Sequence, residues 1–446
     1  MNARRLLPTL CLAGVLLSTA QTFGQDDPAP EMLLLLGRPT DHSVTVNVLS
    51  PADAAVCVEY DGRKSPTQTL KAGVPAEFDL TGLKPNTRYI YRVGTQQGTF
   101  QTQRAPGSTF TFGVQGDSHP ERVGKMFNDR LYAQTLRNVA DDAPDFYVMM
   151  GDDFSIERLI ERQLLSQSAV DAVYARQRHF LGTLGHSTAL FLVNGNHEQA
   201  ARCNLDGTAT NCAVLAGRAR TAFFPLPSPD GFYTGDAEPV KGVGLLRDYY
   251  AWTWGDALFV VIDPYWHSPV PVDNKTGSRE HSNGKGRKRD LSKATLGETQ
   301  IQWLTKTLSE SKARWKFVFA HHVNGTGRGG IECASVGEWG GKIHPLFVKT
   351  GVTIFFQGHD HLFARQELDG VIYQSCPNPA DNTYTAFNRD AYRSGDVLPN
   401  SGHLRVTVAP TNVRVDYVRS FLPGDGTNGA TAFTYTVQGD TGGRVP

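Results

Sequence analysis

The sequence lacks an excess of charge of either sign and lacks long hydrophobic runs. Lysine plus arginine and aspartate plus glutamate both number 44, so the formal net charge is zero. This balance gives no general attraction to nucleic acid or to an anionic membrane, and we predict no specific nucleic acid binding. A transmembrane helix needs about 20 apolar residues, so we also expect no transmembrane segment. The composition, 40% hydrophobic and 20% charged over 446 residues, is that of a globular protein with two or three domains.

Cysteine is scarce, and several short catalytic motifs are absent. The six cysteines form no Cys-x-x-Cys pair of the kind that holds zinc. The sequence has no His-Glu-x-x-His, Walker or Gly-x-Ser-x-Gly motif, which argues against the enzyme classes that depend on them. In an oxidising compartment we expect pairing, and we predict a disulfide between Cys203 and Cys212, which bracket a polar loop. Cys333 with Cys376 is a second possible pair.

The first residues have the pattern of an export signal. Arg4 and Arg5 precede the apolar run from Leu6 to Leu17, which is followed by small residues ending at Ala20. This run is too short to span a bilayer, and the pattern is typical of a cleaved signal peptide. We therefore predict a signal over residues 1–25 and an exported protein, either periplasmic or extracellular.

Residues 31–104 carry only strand signals. Val44, Val46 and Val48 alternate with polar residues, as in a strand with one buried face. The stretch from Leu83 to Tyr89 resembles the region of a fibronectin type III domain that supplies its tyrosine corner. We predict a small all-β sandwich here, joined by a short linker to a second domain over residues 108–440.

The second domain alternates short apolar runs with helix-length segments, which predicts an α/β architecture. Tyr132, Leu136 and Val139 have helical spacing, as do Ile301, Leu304 and Leu308. Near the end, two alternating segments flank a Pro-Thr-Asn turn and predict a closing β-hairpin. The apolar runs are Phe110–Val114, Phe146–Met150, Leu190–Val193, Phe317–Ala320 and Val352–Phe356.

Each of these five runs is followed by residues of the types that bind metals. Any one such segment is explained by ordinary turn chemistry, because Gly-Asp and Asn-Gly are common in turns. Five in order are not, since turns have no reason to select histidine repeatedly. Nitrogen and carboxylate ligands in this number suit two transition-metal ions held close together. The residues are Asp117 and His119, then Asp152, then Asn196 and His197, then His321 and His322, and finally His359 and His361.

These segments together resemble the calcineurin-like metallophosphoesterases. The family pattern is Asp-x-His, Gly-Asp, Gly-Asn-His-Asp/Glu, a later His and Gly-His-x-His, and every element occurs in order. The resemblance implies two packed mixed β-sheets flanked by helices in a four-layer sandwich. It also implies a role for each ligand: Asp117, His119 and His361 would bind one metal, Asn196, His321 and His359 the other, and Asp152 would bridge both.

The implied activity is hydrolysis of phosphomonoesters or phosphodiesters by attack of a metal-bridging hydroxide. His197 would face the substrate phosphate and, with Asp152, would be catalytic. An N-terminal fibronectin-like domain is also found in purple acid phosphatases, but their first motif has glycine where this chain has His119. They also have a tyrosine where this chain has Ser155, so we expect a non-purple pair of manganese, iron or zinc ions. The alternative is a catalytically silent module that binds phosphate or a surface.

The remaining assignments come from position alone. Asp153 is an alternative to Asp152 as the bridge, but the Gly-Asp spacing favours Asp152. Glu198 and Asp360 are either supports for histidines or solvated loop acids. For the substrate we predict contacts from three side chains, each of which has a bland alternative as a surface or core residue: Arg328, Trp266 and His322.

Overall fold

The computed structural model describes residues 31–198, 201–269, 272, 294–323 and 327–439. The predicted signal segment, 1–25, lies outside the described residues. Among those that are described, no helix is long and apolar enough to cross a membrane. The six described helices are α1 (Asp129–Asp141), α2 (Glu157–Glu161), α3 (Gln167–Gly185), α4 (Cys212–Phe223), α5 (Glu298–Glu310) and α6 (His344–Thr350).

The N-terminal region is all β, as predicted. Its strands form three small sheets, with orders β1-β2-β7, β3-β6 and β5-β4-β8-β9. The hydroxyl of Tyr89 accepts the backbone N–H of Lys84 at 2.8 Å, which is the type of contact that a tyrosine corner makes. The strands are β1 (Leu33–Gly37), β2 (Ser43–Leu49), β3 (Ala54–Val56), β4 (Val58–Tyr60), β5 (Arg63–Lys64), β6 (Gln68–Leu70), β7 (Pro75–Thr81), β8 (Arg88–Val93) and β9 (Gln96–Gln101).

The larger region contains two mixed sheets, with a two-stranded ribbon, β14 (Pro239–Val240) and β15 (Gly244–Leu245), beside them. One sheet has six strands, in the spatial order β12 (Ala189–Leu192), β11 (Phe146–Met149), β10 (Phe110–Gln115), β23 (Gly402–Val408), β24 (Asn412–Arg419) and β25 (Thr431–Gln438). The other has eight, in the order β13 (Thr234–Gly235), β16 (Tyr250–Trp254), β17 (Ala257–Val261), β18 (Trp315–Phe319), β19 (Ile354–Gln357), β21 (Val371–Ser375), β20 (Phe363–Leu368) and β22 (Asp396–Leu398).

The two sheets pack face to face through an aromatic core, which confirms the predicted sandwich. Phe112 of β10 meets Phe259 of β17 edge-on, with ring centroids 5.2 Å apart, and Phe191 of β12 stacks on Trp252 of β16 at 4.1 Å. The outer faces are covered by helices. Apolar residues of α1, α3 and α4 pack on the six-stranded sheet, and those of α5 and α6 on the eight-stranded sheet.

Strand direction decides where the site can be. β10, β11 and β12 are parallel neighbours, and so are β17, β18 and β19. The carboxyl ends of three strands therefore meet at one edge in each sheet. All five predicted apolar runs are strands, and the predicted hairpin is the antiparallel pair β23–β24.

The N-terminal sheets are tied closely to the larger region. The buried Arg178 guanidinium of α3 donates to the backbone oxygens of Leu33 and Asn47, at 2.6 and 2.9 Å. Tyr91 donates to the carbonyl of His186 at 2.7 Å. Residues 32–446 accordingly group as one compact unit by their contacts. A domain boundary between residues 104 and 108 therefore stays a prediction.

Candidate metal centre

The predicted ligands lie in the loops that follow five strands at the shared edge. Asp117 and His119 follow β10, Asp152 follows β11, and Asn196 follows β12. His321 follows β18, while His359 and His361 follow β19. Because parallel strands end at the same edge, these loops converge even though the residues span 245 positions of sequence, from 117 to 361.

Asp117 and Asp152 lie at the middle of the resulting cluster. Asp117 Oδ2 is 2.9 Å from His361 Nε2 and 3.7 Å from His119 Nε2. Asp152 Oδ2 is 3.1 Å from His321 Nε2 and 3.7 Å from His119 Nε2. Ligand atoms of Asp117, Asp152, His321 and His359 all lie within 4.8 Å of one another, and those of Asp117, His119 and His361 form a second such group. Asp117 belongs to both groups, and Asp152, a member of the first, also approaches His119 of the second, as expected for two adjacent ion sites.

The backbone at these positions is strained. Left-handed backbone conformations are uncommon for residues with a side chain and gather at functional sites, where the surrounding structure holds them. The turn before His359 also needs a glycine, because a side-chain carbon on Gly358 would lie 2.6 Å from Asp117 Oδ1. Four of the predicted ligands have positive φ angles between 50° and 66°: His119, Asp152, His359 and His361.

The two adjacent aspartates after β11 face in different directions. Asp152 points into the cluster, and its Oδ1 accepts the backbone N–H of His197 at 2.8 Å. Asp153 points away from it, and accepts hydrogen bonds from Ser118 Oγ at 2.5 Å and Gln115 Nε2 at 3.1 Å. Burial raises the pKa of Asp153 well above its usual range, with Asp117 and Glu198 adding to the effect. The geometry therefore favours Asp152 over Asp153 as the bridging residue.

The donor set fits metal ions. Asp117 Oδ2 and His321 Nε2 are buried atoms with no hydrogen-bond partner, and both face into the cluster. Burial opposes protonation of His321, yet Asp152 and Asp117 raise its pKa to about 10, so this point strongly attracts positive charge. Burial lowers the pKa of His119 to about 4, which keeps that imidazole in the neutral form that binds metals. Imidazole and carboxylate ligands together suit manganese, iron or zinc.

His197 lies beside the cluster and is held from both sides. Its Nδ1 is 2.9 Å from Glu157 Oε2, at the start of α2, and its Nε2 is 3.9 Å from Asp152 Oδ2. Arg122 Nη2 lies 3.1 Å from the same Nε2. Burial lowers the pKa of His197, but Asp152 and Glu157 outweigh it and raise the pKa to about 9. A protonated Nε2 repels Arg122, so an anion that accepts from both groups is favoured between them.

A cleft of about 440 Å³ opens over the centre. Of the three predicted substrate contacts, only Arg328 lines it. The larger groove in the molecule, about 1320 Å³ between α5 and the β13–β16–β17 edge, contains none of the predicted ligands. Sequence reasoning missed four of the lining residues, Arg122, Glu157, Glu161 and Gly327, because none of them belongs to a motif. The residues lining the smaller cleft are His119, Arg122, Asp152, Glu157, Glu161, Asn196, His197, Gly327, Arg328, His359 and His361.

Trp266 is misassigned by the sequence analysis. It is 2% exposed and packs against Ala213 and Leu246 in a separate apolar cluster, so it cannot stack on a substrate. His322 does not line the cleft either. It is buried, its ring stacks on that of His359 at 4.2 Å, and Tyr265 contacts its Nδ1. These contacts place His322 beside His321 and His359, and ligand atoms of all three lie within 4.8 Å of one another. A substrate contact by His322 stays a prediction.

Glu198 and Asp360 are buried carboxylates that hold the loops of the site in place. Glu198 accepts the backbone N–H groups of Gly195 at 2.7 Å and Asp153 at 2.9 Å, which ties the loop after β12 to the loop after β11. Asp360 accepts the Tyr392 hydroxyl at 2.5 Å and the backbone N–H of Gly329 at 2.8 Å. Both act on loop backbone or on a tyrosine, so neither is a solvated acid and neither orients a histidine ring through these contacts.

The predicted disulfide between Cys203 and Cys212 is not formed in the structure. Cys212 begins α4 and packs into the core beneath the six-stranded sheet. Cys203 packs instead against Tyr265 and Ala201 in another apolar cluster. The two side chains thus pack in different apolar clusters, although only a short loop separates the residues. The second possible pair, Cys333 with Cys376, is likewise not formed in the structure.

Comparison with known proteins agrees with this geometry. The calcineurin-like phosphoesterase family model matches residues 110–363, more than half of the chain. The chain belongs to the calcineurin-like phosphoesterase family. It is therefore a metal-dependent phosphoester hydrolase of a family that binds two metal ions. All of the residues that line the smaller cleft fall inside the matched range.

Solved structures give the same fold for this phosphoesterase. One match is described as the structure of PhoD, with 16% sequence identity, a TM-score of 0.65, and coverage of 91% of this chain and 90% of that one. A purple acid phosphatase from yellow lupin (Lupinus luteus) seeds matches with 15% identity, a TM-score of 0.58, and coverage of 91% and 74%. At these identities the likeness concerns the fold alone. No curated protein sequence matches the chain.

Proposed function

We propose that this chain is an exported hydrolase of phosphomonoesters or phosphodiesters with two metal ions in the candidate centre. The observation that carries the proposal is the cluster of Asp117, Asp152 and four facing histidines, part of which lines an open cleft together with His197. A phosphate ester that enters this cleft meets histidine and arginine donors and the metal-binding groups together.

The ligands divide into two sets. Asp117, His119 and His361 would hold one ion, and Asp152 would be shared. The second ion would be held by His321 and His359, with Asn196, which lies in the same cleft wall, completing the set. Two bound cations of this kind supply neutralisation of the substrate charge and activation of water for attack on phosphorus.

The chain's own side chains bind and orient the phosphate. Arg122 and Arg328 both line the cleft, and a planar guanidinium can donate two parallel hydrogen bonds to a phosphoryl oxygen pair. His197, held at Nδ1 by Glu157, presents its Nε2–H to the leaving oxygen and can give it a proton. A bound cation would weaken the pull of Asp152 on this imidazole, so Glu157 is the partner that keeps it protonated.

The N-terminal region is proposed to be a separate fibronectin type III-like domain over residues 31–104. The support is its all-β structure and the Tyr89 contact. Export rests on the sequence pattern of residues 1–25.

The test is hydrolysis of two chromogenic substrates by the purified protein with Mn²⁺ present. Preference for bis(p-nitrophenyl) phosphate would assign phosphodiesters, and preference for p-nitrophenyl phosphate would assign monoesters. The expected result is turnover of at least one that is abolished by a chelator. Turnover of neither substrate, with phosphate binding intact, would favour the silent binding module instead.

A further inference from the structure

A second cluster of ionisable residues lies away from the cleft, at the edge of the eight-stranded sheet. Asp236 follows β13, Asp248 precedes β16, and His267 lies in the loop after β17. The strands explain their meeting. β13 pairs antiparallel with β16, and β16 pairs antiparallel with β17, so the end of β13, the start of β16 and the end of β17 share one edge.

The three side chains offer ligand atoms at metal-binding spacing. One ligand atom from each lies within 4.8 Å of the other two. His267 Nε2 is 3.2 Å from Asp248 Oδ2. Two ligand atoms on one ion, each about 2.1 Å from it, lie roughly 3 Å apart, so this pair has the spacing of neighbouring ligands.

One carboxylate oxygen in the cluster is unsatisfied. Asp236 Oδ1 accepts the backbone N–H of Glu238 at 3.0 Å, but Oδ2 is buried and has no hydrogen-bond partner. Asp236 and Asp248 are each 1% exposed. A buried carboxylate oxygen without a partner costs free energy unless a proton or a cation neutralises it.

Positive charge is scarce around the cluster. His267 is the one basic side chain that forms an ion pair with Asp236 or Asp248 among the described residues. A third carboxylate, Asp263, lies close enough to raise the pKa of Asp248, after the larger effect of burial. Three carboxylates facing a single imidazole favour a bound cation.

Aromatic rings close the cluster off from solvent. The Tyr249 ring packs against His267 with centroids 5.3 Å apart, and Trp303 of α5 packs on Tyr249 at 4.9 Å. None of the three ionisable residues lines the catalytic cleft. An ion here would have no open position for a substrate, which is the arrangement of a structural metal site.

We propose that Asp236, Asp248 and His267 bind a third divalent cation of the zinc or manganese class, which ties the β13–β16 edge to the loop after β17. Asp263 joins this loop to the catalytic side, because its Oδ2 accepts from Asn194 Nδ2 at 3.0 Å in the loop that carries Asn196. The third ion therefore stabilises the edge of the sheet and, through Asp263, one wall of the catalytic centre.

The test is the metal content of the full-length protein after equilibration with Zn²⁺ or Mn²⁺, by inductively coupled plasma mass spectrometry. We expect about three equivalents in the wild type and about two in Asp248→Asn, which keeps the side-chain shape. Glu238→Gln is the matched control, since it removes an exposed acid two residues from Asp236 and should leave the content unchanged. The thermal midpoint should rise with added metal less in Asp248→Asn than in Glu238→Gln.

A second variant keeps the proposal testable if Asp248→Asn does not fold. Asp117→Asn/Asp152→Asn disables the catalytic centre only and should retain about one equivalent. An Asp248→Asn protein with the metal content of the wild type would overturn the proposal. So would a folded Asp117→Asn/Asp152→Asn protein that binds no metal.

Discussion

The described residues contain two clusters of aspartate and histidine at metal-binding spacing, and the clusters differ in what surrounds them. The catalytic cluster lies at the floor of a cleft, with His197, Arg122 and Arg328 exposed to an incoming ligand. The second cluster lies under Tyr249 and Trp303 and lines no part of that cleft. The residue types are the same, so access to solvent separates their expected roles.

The difference shows how one sheet edge supports two kinds of site. In the open cluster, the positive-φ backbone at His119, Asp152 and His359 is retained at a cost, as expected where geometry serves chemistry. In the closed cluster, none of Asp236, Asp248 and His267 has a positive φ. Its ligand residues meet through strand pairing, with a positive φ of 56° only at the neighbouring Arg247, which is compatible with a stabilising role. Changes in the open cluster should therefore affect turnover, and changes in the closed one should affect stability.

The largest effect should come from Asp152→Asn. Removing the negative charge from the shared ligand should weaken both ions of the open centre and lower hydrolysis by more than about 100-fold, beyond the loss from a merely supporting residue. Metal analysis and steady-state kinetics measure the two effects. Two ions still bound in the open centre would count against Asp152 as the bridge.

The next prediction separates the contribution of His197 to turnover from the binding of the metal ions. His197→Ala should keep the metal content of the wild type but lower kcat by about 100-fold, the contribution of a positioned proton donor. The assignment fails if turnover in this variant equals that of the wild type. His179→Ala is a control, because that histidine lies on the outer part of α3, away from the cleft.

A smaller effect should follow from Arg328→Ala. A lost charge-assisted hydrogen bond to phosphate is worth about 1.5–3 kcal/mol, so KM should rise roughly 10-fold or more. Arg328 also contacts Asp360, at 3.4 Å, so the thermal midpoint must be measured in parallel. Arg393→Ala, an exposed change outside the cleft, serves as the control. An unchanged KM would remove Arg328 from the substrate site.

The smallest kinetic effect should come from Trp266→Phe, because this residue packs in an apolar cluster outside the cleft. Trp266 is buried, so the smaller ring should cost about 1 kcal/mol of unfolding free energy, measured by denaturant titration. kcat and KM should change less than twofold. A large rise in KM with normal stability would restore Trp266 as a substrate contact.

The sequence predicted the fold and the open cluster well, for a physical reason. Parallel strands such as β10, β11 and β18 are buried on both faces, so each is a continuous apolar run, and the ligand types follow where each run ends. Each of the five ligand segments could therefore be recognised from its own local sequence. Asp117 and His361 meet in space because the strand ends converge, which the order of the runs already suggested.

The wrong predictions concern residues whose role depends on the direction in which the side chain points. Trp266 follows the end of β17, as the residues of the open cluster follow their strands, but its side chain turns into the core. Cys203 and Cys212 are close in sequence, yet they pack in different apolar clusters. Sequence position indicates which edge a residue occupies and does not indicate which way its side chain faces.

The closed cluster was invisible to sequence reasoning. Asp236, Asp248 and His267 come from three separate segments, and none follows a long apolar run in the family pattern. Arg122 and Glu157 were missed for a similar reason, since their contacts with His197 depend on how two loops pack. Only the tertiary structure brings such groups together.

The most direct test of the central claim is hydrolysis of bis(p-nitrophenyl) phosphate and p-nitrophenyl phosphate by protein stripped of metal, before and after Mn²⁺ is restored, with Asp152→Asn measured alongside. The account predicts no turnover by the stripped wild type, recovery of turnover of at least one substrate on adding Mn²⁺, and no comparable recovery in Asp152→Asn. Turnover by the stripped protein, or full recovery by Asp152→Asn, would contradict it.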